Sequence, residues 1–384
     1  MPSLRRTVRA AALAVLLTAL LPVLAGSAWT PHRAARWSPA PTERATPMST
    51  PESRLLAGRR IVYSYPGPVP PPALLRAIRE GRAAGVILFG ENITGTEQLH
   101  SAVDQLKRAA AESPGSAPLL LMTDQEGGKI RRLPGAPELS ARRTGLAPDP
   151  LAEAARSGTG AGSNLAGAGL NVNLAPVLDV YDTADDFIDH FERSYGQDPA
   201  TVGELGSAFL AAQQSLRIAA TAKHFPGLGS AARDQNTDER PVTLPVPLAD
   251  LRARGEEPYR AAIAAGVRLV MASWAVYPAL DGERPAGLSP VVVQGELRER
   301  LGFRGVTVTD ALEAGALAPY GDTGARAIAA AEAGMDLLLC SARDVQQGDD
   351  AAAALAEALD GGRLDRAAFT GAVHRIGELR SAVR

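Results

Sequence analysis

From about residue 56 onward the chain alternates between two patterns. Short runs rich in Val, Ile and Leu occur at "RIVYSY" (60–65), "GVILFG" (85–90), "PLLLMTD" (118–124), "NVNLAPVLDV" (171–180), "AATAKHF" (219–225), "VRLVMASW" (267–274), "GVTVTDA" (305–311) and "MDLLLCS" (335–341). Each has the length and composition of a buried strand. Between them lie Ala-, Leu-, Arg- and Glu-rich stretches such as "PPALLRAIREGRAA", "LGSAFLAAQQSLRI" and "DTGARAIAAAEAG". These have helical composition, and several stop at a Gly before the next run. Strand and helix repeated to about eight is the count of a single (β/α)8 TIM-type barrel; an open doubly wound sheet shares the same alternation.

The positions of the polar residues favour the barrel. Asp124, Asp179, Lys223 with His224, Trp274, Asp310 and Ser341 all stand at or just past the C-terminal ends of the apolar runs. That is the end at which barrel enzymes assemble their sites.

The first residues follow a different pattern. Arg5 and Arg6 precede the apolar run "AALAVLLTALLPVLAGSA", which gives way to polar, Pro-rich sequence. This is the order of an export signal, over residues 1–28, with a small-residue cleavage site near Ala28. The paired arginines suggest twin-arginine export, and the predicted location is extracellular or cell-wall associated. Membrane contact is expected only if the signal stays uncleaved. Residues 29–55, rich in Pro, Ser and Thr and without periodicity, read as a linker, so that the barrel is predicted over 56–384.

Composition narrows the chemistry. The chain of 384 residues is 46% hydrophobic and 21% charged, with a net charge of −2. It is long enough for a full core and has no basic stretch to track phosphates, which argues against nucleic acid as a partner. A single cysteine, Cys340, lies in the apolar run "MDLLLC" and is expected to pack in the core. The five histidines (His32, His100, His190, His224, His374) are scattered, without the close pairs of a zinc site. No Gly-x-Gly-x-x-Gly opens a helix and no Ser-centred elbow is present, so neither metal nor cofactor is expected.

What remains is a mouth of carboxylates, Lys, Arg and His with an aromatic nearby, which suits a polyol such as a sugar. Asp310 in "VTVTDALEAG" can serve there as nucleophile, base or sugar ligand, or simply cap a helix formed by "ALEAGAL". "MTDQEGG" offers Asp124 and Glu126 beside two glycines that permit a sharp turn, and "ERSYGQDP" places Arg193 near two acids.

The motifs "VILFGENI", "MTDQEGGKIRRL", "NLAPVLDV", "ERSYGQDP", "KHFPG", "YPALD", "LSP", "LRERLGFRGVTVTDALEAGAL" and "AGMDLLL" run in one order from about residue 60 to 380. In that order and spacing the chain resembles glycoside hydrolase family three, in its bacterial β-N-acetylglucosaminidase (β-N-acetylhexosaminidase) branch. The resemblance implies a barrel without the sandwich domain of larger members, and a monomer acting on a carbohydrate such as an amino sugar of cell-wall fragments or chitin-like oligomers. It matches Asp310 to the nucleophile of a retaining mechanism. It also matches Asp124, Arg193, Lys223 and His224 to residues that hold the sugar by charge-assisted hydrogen bonds.

Two departures stand out. After Lys-His-Phe the branch reads Pro-Gly-His-Gly and then Asp-Ser-His, whose His is its acid/base. Here Leu228 replaces the first His, and Asp234, Gln235 and Asn236 stand in the second motif. An amide does not titrate in the useful range, so Asn236 cannot shuttle the proton. Three expectations follow. Another acid of the loop, Asp234, Asp238 or Glu239, takes the role; or the protein binds sugar without turning it over; or it cleaves only good leaving groups, or uses phosphate. In the sixth run Trp274 stands where the family often has His, and there it can either stack on a sugar face or pack against the barrel rim.

Overall fold

The computed structural model describes residues 49–114 and 117–383. The expected export signal and the linker as far as residue 48 lie outside the described residues. Residues 51–55 of that expected linker are already helical: Pro51–Gly58 forms a helix whose N-terminus is capped by the Thr50 side chain, with Pro in its first turn. Ordered structure therefore begins before Leu56.

Eight parallel strands close into a barrel: β1 (Ile61–Tyr63), β2 (Gly85–Ile87), β3 (Leu120–Thr123), β4 (Val172–Asn173), β5 (Ala219–Phe225), β6 (Leu269–Ala272), β7 (Val306–Ala311) and β8 (Leu337–Leu339). β8 pairs back onto β1 through Ile61 with Leu338 and Val62 with Leu339, which leaves no open edge. All eight apolar runs become barrel strands, and the doubly wound alternative is excluded.

Alternation along the strands decides which side chains enter the barrel. Val62, Ile87, Leu120, Met122, Val172, Leu174, Ala219, Leu269, Met271, Val306, Val308, Leu337 and Leu339 form one buried interior cluster. A two-residue step beyond that set carries β3 to Asp124 and β7 to Asp310, and two such steps from Ala219 carry β5 through Thr221 to Lys223, so these side chains emerge at the barrel mouth.

Trp274 has the opposite parity on β6. It continues Val270 and Ala272, which face the surrounding helices, and its indole packs in the layer outside the barrel. It is 1% exposed, abuts Gly287 and donates Nε1–H to the carbonyl of Ala311 at 2.8 Å. Of the two roles expected for Trp274, packing against the rim is the one its position shows, and it does not line the cavity at the mouth.

Outer helices are set by local signals. Asp149 precedes Pro150–Gly167 and Asp198 precedes Pro199–Ser215; each carboxylate caps a backbone amide of the first turn, and each helix opens on Pro. "ALEAGAL" does not form the helix that Asp310 would cap. The chain stays irregular after Ala311, and only a short 3-10 turn, Gly315–Tyr320, follows. Among the described residues no helix is long and apolar enough to cross a membrane.

Candidate active site

A cavity of about 470 Å³ opens at the C-terminal ends of the strands. Its walls include Asp124, Glu126, Arg193, Lys223, His224, Asp238 and Asp310, with Phe89, Phe187, Phe191 and Leu228 as apolar lining. The volume is that of a small-molecule site with a few convergent polar groups.

One wall is a continuous chain of charge-assisted bonds. Lys223 Nζ donates to Asp124 Oδ1 at 2.7 Å and lies 2.8 Å from Glu126 Oε1. Arg193 grips Glu126 with two bonds, Nε to Oε2 at 2.9 Å and Nη2 to Oε1 at 2.8 Å. The same Nη2 lies 3.3 Å from His224 Nε2, while His224 Nδ1 lies 2.7 Å from Asp179 Oδ2. The Asp179 carboxylate makes Nδ1 the donating nitrogen of His224, and the Arg193 guanidinium stands at the other.

Local backbone geometry makes this wall possible. The β5–β6 ladder shifts register between Ala222 and Phe225, and the consecutive side chains of Lys223 and His224 both reach the cavity. Asp179 is fully buried, and its Oδ1 accepts the amides of Leu228 at 2.7 Å and His224 at 3.3 Å. Glu126 sits on a small hairpin, Gln125–Gly127 paired with Ile130–Arg131, rather than on a helix start.

The electrostatics follow from burial and pairing. Burial alone would raise the Glu126 carboxyl, but the charges and hydrogen bonds of Arg193 and Lys223 outweigh it and hold the group at about 2. Burial likewise works against the charged forms of Lys223 and Arg193. The carboxylates beside them prevail, and both cations sit above their usual range. Glu126, Lys223 and Arg193 therefore stay charged over the whole neutral range, and the wall offers fixed donors and acceptors to hydroxyl groups.

Asp310, Asp238 and Glu313 line the same cavity. Asp310 accepts the amide of its neighbour Ala311 through Oδ1 at 2.7 Å. Glu313 is held by the amide and hydroxyl of Ser341 and by Gln347. Asp238 keeps solvent contact at the mouth, yet the protein packed around its carboxyl and the nearby charge of Asp310 push it up to about 6, against the opposing pull of His224 and Arg193.

Of the three loop acids, only Asp238 lines the cavity. Asp234 is 81% exposed and paired with Arg240, and the exposed Glu239 accepts a bond from Asn236 Nδ2 at 3.0 Å. Neither reaches the site, because the turn at 236–239 points one acid inward and leaves its neighbours in water. Asn236 shapes that turn, its Oδ1 accepting the Asp238 amide at 3.0 Å.

Asp179, Glu126 and Glu313 were not assigned roles from sequence. Glu126 was within reach of that reasoning, since it stands two residues beyond Asp124. Among the described residues no three His, Cys, Asp or Glu side chains gather as a metal site. Cys340 is buried, which pushes its thiol well above the usual range, in keeping with a packing role.

Residues 73–379 match the model of the glycosyl hydrolase family 3 N terminal domain. The chain belongs to this family. As a family 3 glycoside hydrolase it is 43% identical over 327 residues to an uncharacterized secreted glycosyl hydrolase of Arthroderma benhamiae, covering 85% of this chain and 92% of that one. It is 33% identical over 269 residues to a beta-hexosaminidase of Stenotrophomonas maltophilia, covering 68% of this chain and 77% of the relative. The solved structure of a beta-N-acetylhexosaminidase from Beutenbergia cavernae superposes with a TM-score of 0.77 at 33% identity, over 86% of this chain and 98% of that one. A family 3 beta-N-acetylglucosaminidase from Paenibacillus gives 0.80 at 32% identity; there the match covers 86% of this chain and 62% of the other.

Proposed function

We propose that this family 3 hydrolase is an exported, retaining β-N-acetylhexosaminidase in which Asp310 is the nucleophile and Asp238 the acid/base. The observation that carries the reading is the presence of both carboxylates in the lining of one cavity, with Asp238 pushed up to about 6 beside Asp310. A retaining glycosidase needs one carboxylate to attack and a second carboxyl group raised enough to act as an acid.

In the first step a lone pair of the Asp310 carboxylate attacks the anomeric carbon. The bond from that carbon to the glycosidic oxygen breaks, and the protonated Asp238 gives its proton to the departing oxygen. Esterification removes the negative charge of Asp310, and with it one of the causes that raise Asp238. Asp238 then takes a proton from water as the water oxygen attacks the anomeric carbon. Asp310 leaves as carboxylate, and Asp238 is again an acid. Arg193, Lys223, His224 and Asp124 hold the sugar hydroxyls and orient the ring for in-line attack.

The amino-sugar preference is supported by the relatives described as beta-hexosaminidases, and cell-wall fragments or chitin-like oligomers are the natural polymers of such sugars. Export is supported by the apolar N-terminal run and by the fungal relative described as secreted.

The test is hydrolysis of 2,4-dinitrophenyl N-acetyl-β-D-glucosaminide and of N,N'-diacetylchitobiose, with the product anomer followed by NMR. Retention, loss of both activities in Asp310→Asn, and formation of β-glycosyl azide by Asp238→Ala in azide are expected. Inversion, or an Asp238→Ala variant with unaltered chitobiose cleavage, refutes the assignment.

A further inference from the structure

The loop that carries Asp238 is fastened on both flanks. On the β4 side the carbonyls of Gly229 and Ala231 accept the amides of Asp182 and Phe187 at 3.1 and 3.0 Å. On the β7 side the Gly315 amide donates to the carbonyl of Asp238 at 2.8 Å, and the Ala316 amide to that of Thr237 at 3.0 Å. These last two bonds form a backbone clasp between the turn bearing the acid and the segment that begins at the nucleophile.

Gly315 makes the clasp possible by its lack of a side chain. A Cβ there would lie 2.2 Å from the Glu239 carbonyl oxygen and 2.3 Å from its carbon, both main-chain atoms. Its φ is outside the left-handed region, so conformational freedom is not the reason for glycine at this site. Space is the reason. The neighbours Ala314 and Ala316 are each 3% exposed and Leu317 is fully buried, so the segment itself cannot give way. Thr237 is buried as well, and Asn236 braces the turn from within through the Asp238 amide. The position of Asp238 relative to Asp310 thus depends on residues 310–316 and these two bonds.

We propose that Gly315 is a positioning residue, which seats Asp238 at the working distance from Asp310 by letting the two backbones touch. The proposal rests on the acid/base reading of Asp238. In Gly315→Ala the turn is displaced by the added methyl, and Asp238 moves out of line with the departing oxygen. A misplacement of about 1 Å at a catalytic group costs on the order of a hundredfold. The loss falls on the step that needs a proton, and hardly on an activated leaving group.

The experiment compares wild type, Gly315→Ala, Asp238→Ala and the double variant for kcat/KM on the dinitrophenyl glycoside and on N,N'-diacetylchitobiose. Gly315→Ala is expected to lose about a hundredfold on the disaccharide and at least tenfold less on the dinitrophenyl substrate. Its alkaline limb should move to lower pH as Asp238 leaves the field of Asp310, and the double variant should be no worse than Asp238→Ala. Equal losses on both substrates, an unmoved limb or additive losses overturn the proposal. If Asp238→Ala itself treats the two substrates alike, the acid/base reading fails instead, and the clasp has no acid to seat. A measurement independent of the variant's folding is amide hydrogen exchange of the wild-type protein. Gly315 and Ala316 should be strongly protected relative to the exposed Arg233 and Asp234, and exchange at the same rate as those residues would refute the clasp.

Discussion

Replacing Glu126 by Gln keeps the shape of the side chain and removes one negative charge from between two cations. In the wild type Arg193 donates twice to Glu126, and Lys223 lies 2.8 Å from it. After the change Asp124 still balances Lys223, but Arg193 keeps only the weaker attraction of Asp179 and Asp124. The side chains are 14% (Arg193), 7% (Glu126) and 3% (Lys223) exposed, so water screens the loss weakly. The folded-state value of about 2 lies below the ordinary 4.5. At about 1.36 kcal/mol per pH unit, the gap corresponds to on the order of 3 kcal/mol of stability. Removing one partner of a buried ion pair costs about 3–5 kcal/mol, which agrees. The sign is that of a depressed acid. The contribution is whole above the unfolded-state value and is lost as pH falls toward 2, so it shrinks to roughly 1.4 kcal/mol at pH 3. Equilibrium urea unfolding of wild type and Glu126→Gln at pH 7 and pH 3 measures both differences. A penalty below about 1 kcal/mol at pH 7, or one equal at the two pH values, refutes the account of this wall.

Other consequences are open to equally direct tests. The wild-type kcat/KM on a sugar leaving group should fall as pH rises through about 6, because a raised acid gives up its proton there. Asp238→Asn should abolish that limb and lower kcat/KM by roughly 10²–10⁴, and a limb that survives the substitution assigns it to another group. Asp179→Asn turns an acceptor of three donors into a mixed group and should destabilise the fold by about 1–3 kcal/mol by thermal unfolding. Trp274→Phe should cost about 1 kcal/mol through the lost bond to Ala311. A rise in KM as large as that of Asp124→Asn would mean instead that the indole touches sugar.

The barrel was legible because its strands are short apolar runs and its helices have a different composition, and both signals are local. The mouth was legible for a related reason: a polar residue ending an apolar strand in a barrel has one place to go. Trp274 shows the limit of that rule. Asp310 and Trp274 both end apolar runs, yet one continues the inward parity of Val306 and Val308 while the other continues the outward parity of Val270 and Ala272. Counting in steps of two from the interior set separates them, and the same count leads from Asp124 to Glu126. His224 breaks the count, because the ladder shifts register at β5, and only its recognisable motif with Lys223 marked it.

Sequence alone therefore determined the family's barrel, the strand that carries the proposed nucleophile and the absence of any histidine between residues 228 and 242. These are properties of chain order and composition. Which of Asp234, Asp238 and Glu239 faces the cavity was decided only in three dimensions. The choice depends on how one turn is seated against a segment about eighty residues later, where Gly315 admits a main-chain contact. Hydrophobic periodicity does not encode that contact, since it is made by backbone atoms whose partners lie far apart along the chain.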